Sequence, residues 1–391
     1  MHWKPGTLVP CQAIFLSKAI EIPLTRSLGA GFRMGANMMK PHFSFKPFSG
    51  RNSCGLAALL LAFAATLTFA DARADEPRKV DPTSQVSSPE SLTVDASLFS
   101  THNFDWFDSQ RQRQVPAKLY LPAAKAMPGS MPLLVFSHGI GGSRDGYSYL
   151  GRYLAAHGYG SLHVQHVGSD RQLWFGNPLA LPARLSDAAQ ASEAIHRVQD
   201  LRFSLDQVLA GHFGALFDQR RIVAAGHSYG ANTTMLISGA LVEQQGQKVS
   251  LRDPRISAAI VISAPPFYGM GSPTDILSGI DIPSLHITAT QDVIQIPGYE
   301  SGLQDRIDVF KAMSSQRAVP KVLAVFKEGS HSIFTDRSRT GGLTANPKVK
   351  IATRQLALAF LTGISARNYQ SIDAWSHLNA ELVARFERLA P

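Results

Sequence analysis

Arg221-Ile222-Val223-Ala224-Ala225-Gly226-His227-Ser228-Tyr229-Gly230 decides the reading of this chain. Residues 221–225 are a short, mostly apolar run of the kind a buried parallel strand uses. Ala231 to Leu241 has few polar side chains and reads as a buried helix. Between them, Gly226-His227-Ser228-Tyr229-Gly230 fits G-x-S-x-G, a bend that holds a serine on a strained strand-to-helix turn with its hydroxyl exposed. The flanking glycines give that bend room to approach its neighbours. The helix N-terminus behind the serine favours developing negative charge. The pattern reads as the nucleophile of a serine hydrolase.

The partners of such a serine follow it in the order acid, then histidine. Pro283 to Thr290 reads as a strand, and Asp292 sits where it ends. Val322 to Phe326 is a later strand, followed by Lys327-Glu328-Gly329-Ser330-His331. His331 would take the Ser228 proton and return it to the leaving group, while Asp292 would hold one tautomer of the imidazole. Asp292 and His331 are 39 positions apart, enough for a crossover helix and a last strand. Asp275, in Ser272-Pro273-Thr274-Asp275, is the competing acid, but that stretch reads as a turn or a helix start. Asp305 and Asp308 fall on an expected helix and are weaker candidates.

Leu133-Leu134-Val135-Phe136-Ser137-His138-Gly139-Ile140-Gly141-Gly142-Ser143-Arg144 is a second strand that runs into a glycine-rich turn. Such a turn can aim backbone N–H groups at the oxyanion of a tetrahedral intermediate. The amide after the nucleophile, that of Tyr229, would be the other donor. A phosphate-binding loop is excluded, because neither G-x-x-x-x-G-K-[ST] nor G-x-G-x-x-G occurs here. His138 reads as a hydrogen-bonding residue of the turn rather than a base.

These motifs together resemble the α/β-hydrolase superfamily. Within it, the chain is similar to bacterial predicted dienelactone hydrolases and to platelet-activating-factor acetylhydrolase-like serine esterases. Further similar segments are Asp108 to Pro122 and Arg197 to Asp206, and the likeness spans roughly residues 100 to 365. The resemblance implies an α/β fold with a mostly parallel central sheet covered by helices on both faces, and a Ser228-His331-Asp292 triad. It also implies oxyanion-hole amides from Ile140 and Tyr229. Two departures bear on it. The dienelactone hydrolases proper use a cysteine nucleophile, absent at this position. In the acetylhydrolase branch the acid can follow an earlier strand, yet Val261-Ile262-Ser263-Ala264-Pro265 offers no Asp, which points back to Asp292.

The net charge of +9 is concentrated near the N-terminus. Residues 1–74 hold eight Lys/Arg and two Asp/Glu, which leaves 30 against 27 in the remainder, a net +3. No basic stripe with interleaved aromatics remains, which argues against nucleic acid as a partner. Leu56 to Ala70 is an apolar run of signal-peptide length, preceded by Lys40, Lys46 and Arg51 and followed by Ala72-Arg73-Ala74. It reads as an export signal cleaved near Ala74, too short for a lasting membrane anchor. The mature chain is then expected in the periplasm or medium. An n-region starting at Met38 or Met39 has ordinary length, so residues 1–37 read as upstream of the true start. Both cysteines, Cys11 and Cys54, precede the cleavage site, so no disulfide, zinc-thiolate site or thiol nucleophile is expected. The histidines lack metal-ligand spacing: His163 and His166 are three apart on an expected strand and face opposite sides. Neither a metal nor a cofactor is expected.

The chain divides into residues 1–74, a Pro- and Ser-rich leader over 75–90, and a catalytic domain over 91–391. Antiparallel strands are expected within Ser91 to Pro122, and further strands at Met131–Ser137, Gly160–His166, Ile256–Ser263, Ser284–Thr290 and Lys321–Phe326. Helices are expected at Gly146–His157, Asp187–Leu209 and Val349–Thr362, with an irregular insertion over Gly168–Leu185. Alternation of strand and helix implies a parallel sheet with its site at the carboxyl ends of the strands. Ile372 to Leu389 reads as a closing amphipathic helix with Trp375, Leu378, Leu382 and Phe386 on one stripe. Trp174 and Phe175, and Phe267, Tyr268 and Met270, lie on loops expected to border Ser228. They are candidates to line an acyl or aromatic pocket, although aromatic loop residues also cover cores. The connection Pro265 to Ile282 is too short for a cap domain, and an open site suits soluble esters or polymer chains. The reading is an exported serine hydrolase that cleaves carboxylic esters through an acyl-enzyme. A peptidase or polyester hydrolase of the same fold, and a non-catalytic hydrolase-like binding protein, are the alternatives.

Overall fold

The computed structural model describes residues 91–244, 247–267, 271–296, 299–314, 319–337, 340 and 344–389. The export signal, the leader, both cysteines, Tyr268 and Met270 lie outside the described residues.

The chain opens with an antiparallel pair, β1 (Phe99–Asp108) and β2 (Arg113–Pro122). It continues through β3 (Met131–Ser137), helix α1 (Ser148–Ala156), β4 (Gly160–Val164), and helices α2 (Leu181–Ala188) and α3 (Ala191–Ala210). Next come β5 (Phe217–His227), helix α4 (Tyr229–Ser238), a hairpin of β6 (Leu241–Gln244) and β7 (Gln247–Ser250), and β8 (Ile256–Ile262). The last part holds α5 (Pro273–Leu277), β9 (Ser284–Gln291), a small hairpin of β10 (Ile294–Ile296) and β11 (Tyr299–Ser301), and α6 (Leu303–Ser314). It closes with β12 (Lys321–Ser330), α7 (Ala345–Ala366), α8 (Gln370–Leu378) and β13 (Val383–Leu389).

One sheet has the order β1-β2-β4-β3-β5-β8-β9-β12-β13. From β4 to β12 all neighbours are parallel, with antiparallel pairs added at both ends. Side chains alternate across a strand, so a sheet with both faces covered needs apolar residues at every position. The central strands meet that demand. Leu133, Val135, Ile222, Ala224 and Val261 pack with Leu201 and Leu205 of α3 and Met235 of α4. Their sequence neighbours Leu134, Phe136, Val223, Ala225 and Ile260 pack with Leu150 of α1 and Leu356 and Phe360 of α7. Among the described residues, no helix is long and apolar enough to cross a membrane.

Three expectations need correction. The closing helix over Ile372–Leu389 stops at Leu378, and Val383–Leu389 is instead a strand antiparallel to β12. The helical stripe fails at Leu378, which is 86% exposed, whereas Trp375 is buried. Pairing covers the otherwise open edge of β12, and Phe386 still reaches Trp375 with ring centroids 5.9 Å apart. The insertion after β4 is not irregular: it forms short 3-10 turns at Arg171–Trp174 and Pro178–Ala180, then α2. The helix after Ser228 ends at Ser238, where Gly239 adopts φ 122°, and Leu241 already belongs to a hairpin.

Candidate active site

Ser228 sits between β5 and α4 with φ 57° and ψ −124°. That region is sparsely populated for a residue with a Cβ and carries strain of about 1–3 kcal/mol. The glycines on either side are required by close approach. A Cβ on Gly226 would lie 2.2 Å from the Gly230 carbonyl oxygen, and one on Gly230 would lie 1.9 Å from that of Ser137. The bend therefore packs directly on the end of β3.

His331 reaches the serine through a feature of β12. Ser330 pairs with Gln291 of β9 after a register shift, and within that shift Glu328 and Gly329 both have positive φ. The bulge re-aims the strand end, and the residues that follow the pair, His331 and Asp292, emerge side by side. His331 Nε2 lies 2.8 Å from Ser228 Oγ, and its Nδ1 lies 2.7 Å from Asp292 Oδ1. Asp292 is fully buried. Its Oδ2 accepts from Thr288 Oγ1 at 2.7 Å, and Arg306 Nη2 is 3.4 Å from Oδ1. Burial alone would raise its pKa. The charge and hydrogen bond of His331, followed by the Arg306 guanidinium, outweigh burial and hold the carboxyl well below the usual range.

His227 links the bend to the histidine loop. Burial, with the charge of His331 next, pushes its imidazole down to about 3, so the ring is neutral. It donates Nε2–H to the His331 carbonyl at 2.9 Å and accepts the Tyr147 hydroxyl at Nδ1 at 2.8 Å. Tyr147 Oη in turn accepts the Gly139 N–H at 3.4 Å. The relay ties the β3 turn, the Ser228 bend and the His331 loop together.

The turn Gly139–Gly142 lies against the serine, since a Cβ on Gly139 would be 3.2 Å from that of Ser228. Gly139 N–H goes to Tyr147, Gly141 N–H to the Ser169 carbonyl and Gly142 N–H to the Gly139 carbonyl. Among the described residues, the Ile140 N–H has no partner. Tyr229 is the first residue of α4 and directly follows Ser228.

The other expected residues fall as follows. Asp275 is exposed on α5, with its amide capped by Ser272. Asp305 caps Gly302 and Asp308 bonds Gln304, both on α6. Trp174 lies on the Gly139–Gly142 turn: its indole occupies the space a Gly141 side chain would need, and Nε1–H donates to the Gly141 carbonyl at 2.9 Å. Phe175 is exposed, whereas Phe267 is buried in the core. His138 is buried, donating Nδ1–H to the Gly139 carbonyl and accepting the His166 N–H. His163 packs on Phe136 and Tyr120 while His166 bonds Ser137 and Asp200, so the two do not converge. Among the described residues no cluster of three or more His, Cys, Asp or Glu could hold a metal ion. Tyr147, Thr288 and Arg306 were not found from the sequence. Thr288, four residues before Asp292 on the same strand, offered the one readable signal.

A mostly parallel sheet carries the serine after β5, the acid after β9 and the histidine after β12, all at the carboxyl ends of their strands. This is the α/β-hydrolase fold. Residues 112–171 match the family model for platelet-activating factor acetylhydrolase, isoform II. The matched segment includes the Gly139–Gly142 turn but not Ser228, Asp292 or His331. No curated protein matches the chain. Among solved structures it is similar to a ferulic acid esterase from Streptomyces cinnamoneus, at 19% identity and TM-score 0.47, covering 68% of this chain and 89% of that one. It is also similar to a protein described as a dienelactone hydrolase from Klebsiella pneumoniae, at 19% identity and TM-score 0.48, covering 68% and 98%.

Proposed function

We propose that this chain is an exported serine esterase that cleaves carboxylic esters through an acyl-enzyme on Ser228. The observation that carries the reading is the continuous hydrogen-bonded line from Ser228 Oγ through His331 to the buried Asp292 carboxylate. In the first step His331 Nε2 takes the Ser228 proton as Oγ attacks the ester carbonyl. Asp292 stabilises the imidazolium and keeps Nδ1 protonated. The oxyanion is received by the Ile140 and Tyr229 amides beside the serine. His331 then protonates the leaving alkoxide, and a water activated by the same imidazole hydrolyses the acyl-enzyme.

Trp174, bonded to the Gly141 carbonyl, is 47% exposed and its sequence neighbour Phe175 is 65% exposed, while Ser228 itself is 7% exposed. Exposed aromatics of this kind suit an apolar acyl or aromatic group presented from solvent. Export rests on the sequence of Leu56 to Ala74 and predicts a mature chain beginning near Asp75.

The test is fluorophosphonate labelling of wild type and Ser228→Ala, followed by turnover of p-nitrophenyl esters of graded acyl length. Labelling confined to Ser228 with ester turnover supports the proposal. Ester binding without turnover or labelling would point to a binding protein, and amide turnover matching ester turnover to a peptidase.

A further inference from the structure

Arg197, on α3, is completely buried, a setting in which a cation requires full hydrogen bonding. Every donor direction it uses meets a neutral acceptor. Nε donates to Thr233 Oγ1 at 2.9 Å, Nη1 to Ser169 Oγ at 2.7 Å, and Nη2 to Ser137 Oγ at 3.0 Å and to the His138 carbonyl. The guanidinium carbon lies over the Tyr229 ring, 4.4 Å from its centroid. Among the described residues, no carboxylate is within ion-pair distance of it. The nearest acids belong to other cations: Glu193 pairs with Arg113, and Asp200 with Arg111 and Arg113. They reach Arg197 only through intermediaries. The Ser169 hydroxyl donates to Glu193 at 2.7 Å, and the Ser137 hydroxyl bonds His166, whose Nδ1 is 3.0 Å from Asp200.

The partners of Arg197 share one location. Ser137 and His138 lead into the oxyanion turn. Ser169 supplies the carbonyl that takes the Gly141 N–H. Tyr229 and Thr233 are successive turns of the helix behind the serine, and the Thr233 hydroxyl donates to the Tyr229 carbonyl. The planar fork thus touches both arms of the site that would receive the oxyanion. A buried charge without a direct counter-ion also projects a positive potential through a low-dielectric interior.

We propose that Arg197 is a positioning residue for the oxyanion hole, clamping the Ser137–Gly142 turn against the start of α4 while setting a positive field behind both amides. This rests on the esterase reading of Ser228. The gain is specific to the charged transition state, because a neutral ester carbonyl interacts weakly with that field.

The test compares Arg197→Met and Arg197→Lys with wild type, using kcat and KM for p-nitrophenyl acetate and the rate of Ser228 phosphonylation by a fluorophosphonate. Arg197→Met is expected to lower kcat and the phosphonylation rate about 10²- to 10³-fold. KM should stay within about threefold, because a neutral ester carbonyl interacts only weakly with that field. Arg197→Lys should be intermediate, keeping the charge but losing the fork. A folded Arg197→Met protein with near-wild-type kcat, or one in which only KM rises, would overturn the inference. Should Arg197→Met not fold, Arg197→Lys decides: an intermediate rate supports the proposal and a wild-type rate overturns it. Wild-type protein that the fluorophosphonate does not label would overturn the esterase reading and this inference with it. Labelled wild type beside an equally reactive Arg197→Met protein would overturn this inference alone.

Discussion

Arg306 and His331 approach the same oxygen of Asp292, the guanidinium from 3.4 Å and the imidazole Nδ1 from 2.7 Å. The acid is therefore held between two donors, with its second oxygen satisfied by Thr288. Arg306 is buried, and among the described residues its Nε and Nη1 have no hydrogen-bond partner. Its charge acts on the acid and, through it, on the imidazole. The other groups around His331 are Ser228, neutral His227 and the Asp292 carboxylate.

Replacing Arg306 by Met should consequently raise the pKa of the acid limb of kcat/KM. The sign follows from removing a cation near a base that must be neutral to work: the imidazolium becomes easier to form. The size should be about 0.5–1.5 units for one charge at this separation. A pH profile of kcat/KM from 5 to 9 measures it, and a limb that stays put or moves down would refute the electrostatic role.

Asp292→Asn should lower kcat by about 10³- to 10⁴-fold, by favouring the wrong imidazole tautomer. Asp275→Asn should change it less than about tenfold, because Asp275 is exposed on α5 and its capping role uses only the main chain. Steady-state kinetics on the two folded variants checks the pair, and the reverse ranking would make Asp275 the acid.

The central strands and the glycine-flanked bend at Ser228 were legible because both are local. Runs such as Leu133–Phe136 need apolar residues on both faces, and the Ser228 bend needs glycines where Gly230 meets the Ser137 carbonyl. The edge strand β13 was not legible. Trp375, Leu378, Leu382 and Phe386 follow a helical period, and only the unpaired edge of β12, set by the tertiary fold, draws Val383–Leu389 into the sheet. Arg197 and Arg306 escaped for a related reason. An arginine on a helix reads as solvated surface unless the elements that bury it are known.

Ser228→Ala and His331→Ala should each reduce ester kcat by about 10⁴-fold or more, and the double variant should be little worse than either, since the proton transfer needs both atoms at once. Their 2.8 Å contact makes the pair a single unit. Multiplicative losses in the double variant would mean the two residues act independently.

The histidines of the interior predict instability in mild acid. Burial is the leading cause that pushes His163 down to about 4 and His227 and His286 down to about 3. Burial shifts His138 and His166 in the same direction. An unfolded chain protonates His163, His227 and His286 near pH 6.5, whereas the folded one resists until pH 3–4. Stability is thus intact above pH 6.5 and is lost progressively below it, as the unfolded state takes up protons first. At pH 5 each of the three best-defined rings costs on the order of 2 kcal/mol, so together they reach about 6 kcal/mol, comparable with the whole stability of a typical domain. The lowered pKa of Asp292 acts in the same sense only below about pH 4 and does not contribute in this window. Tm should therefore be level above pH 7, fall steeply between 6.5 and 5, and be lost near the lower end. His163→Gln, which removes one ring from the set, should shallow that slope by about one histidine's share. Thermal melts followed by near-UV circular dichroism from pH 8 to 4.5 measure both, and a Tm that stays level from pH 7.5 to 5 would show that the buried rings do not control acid stability.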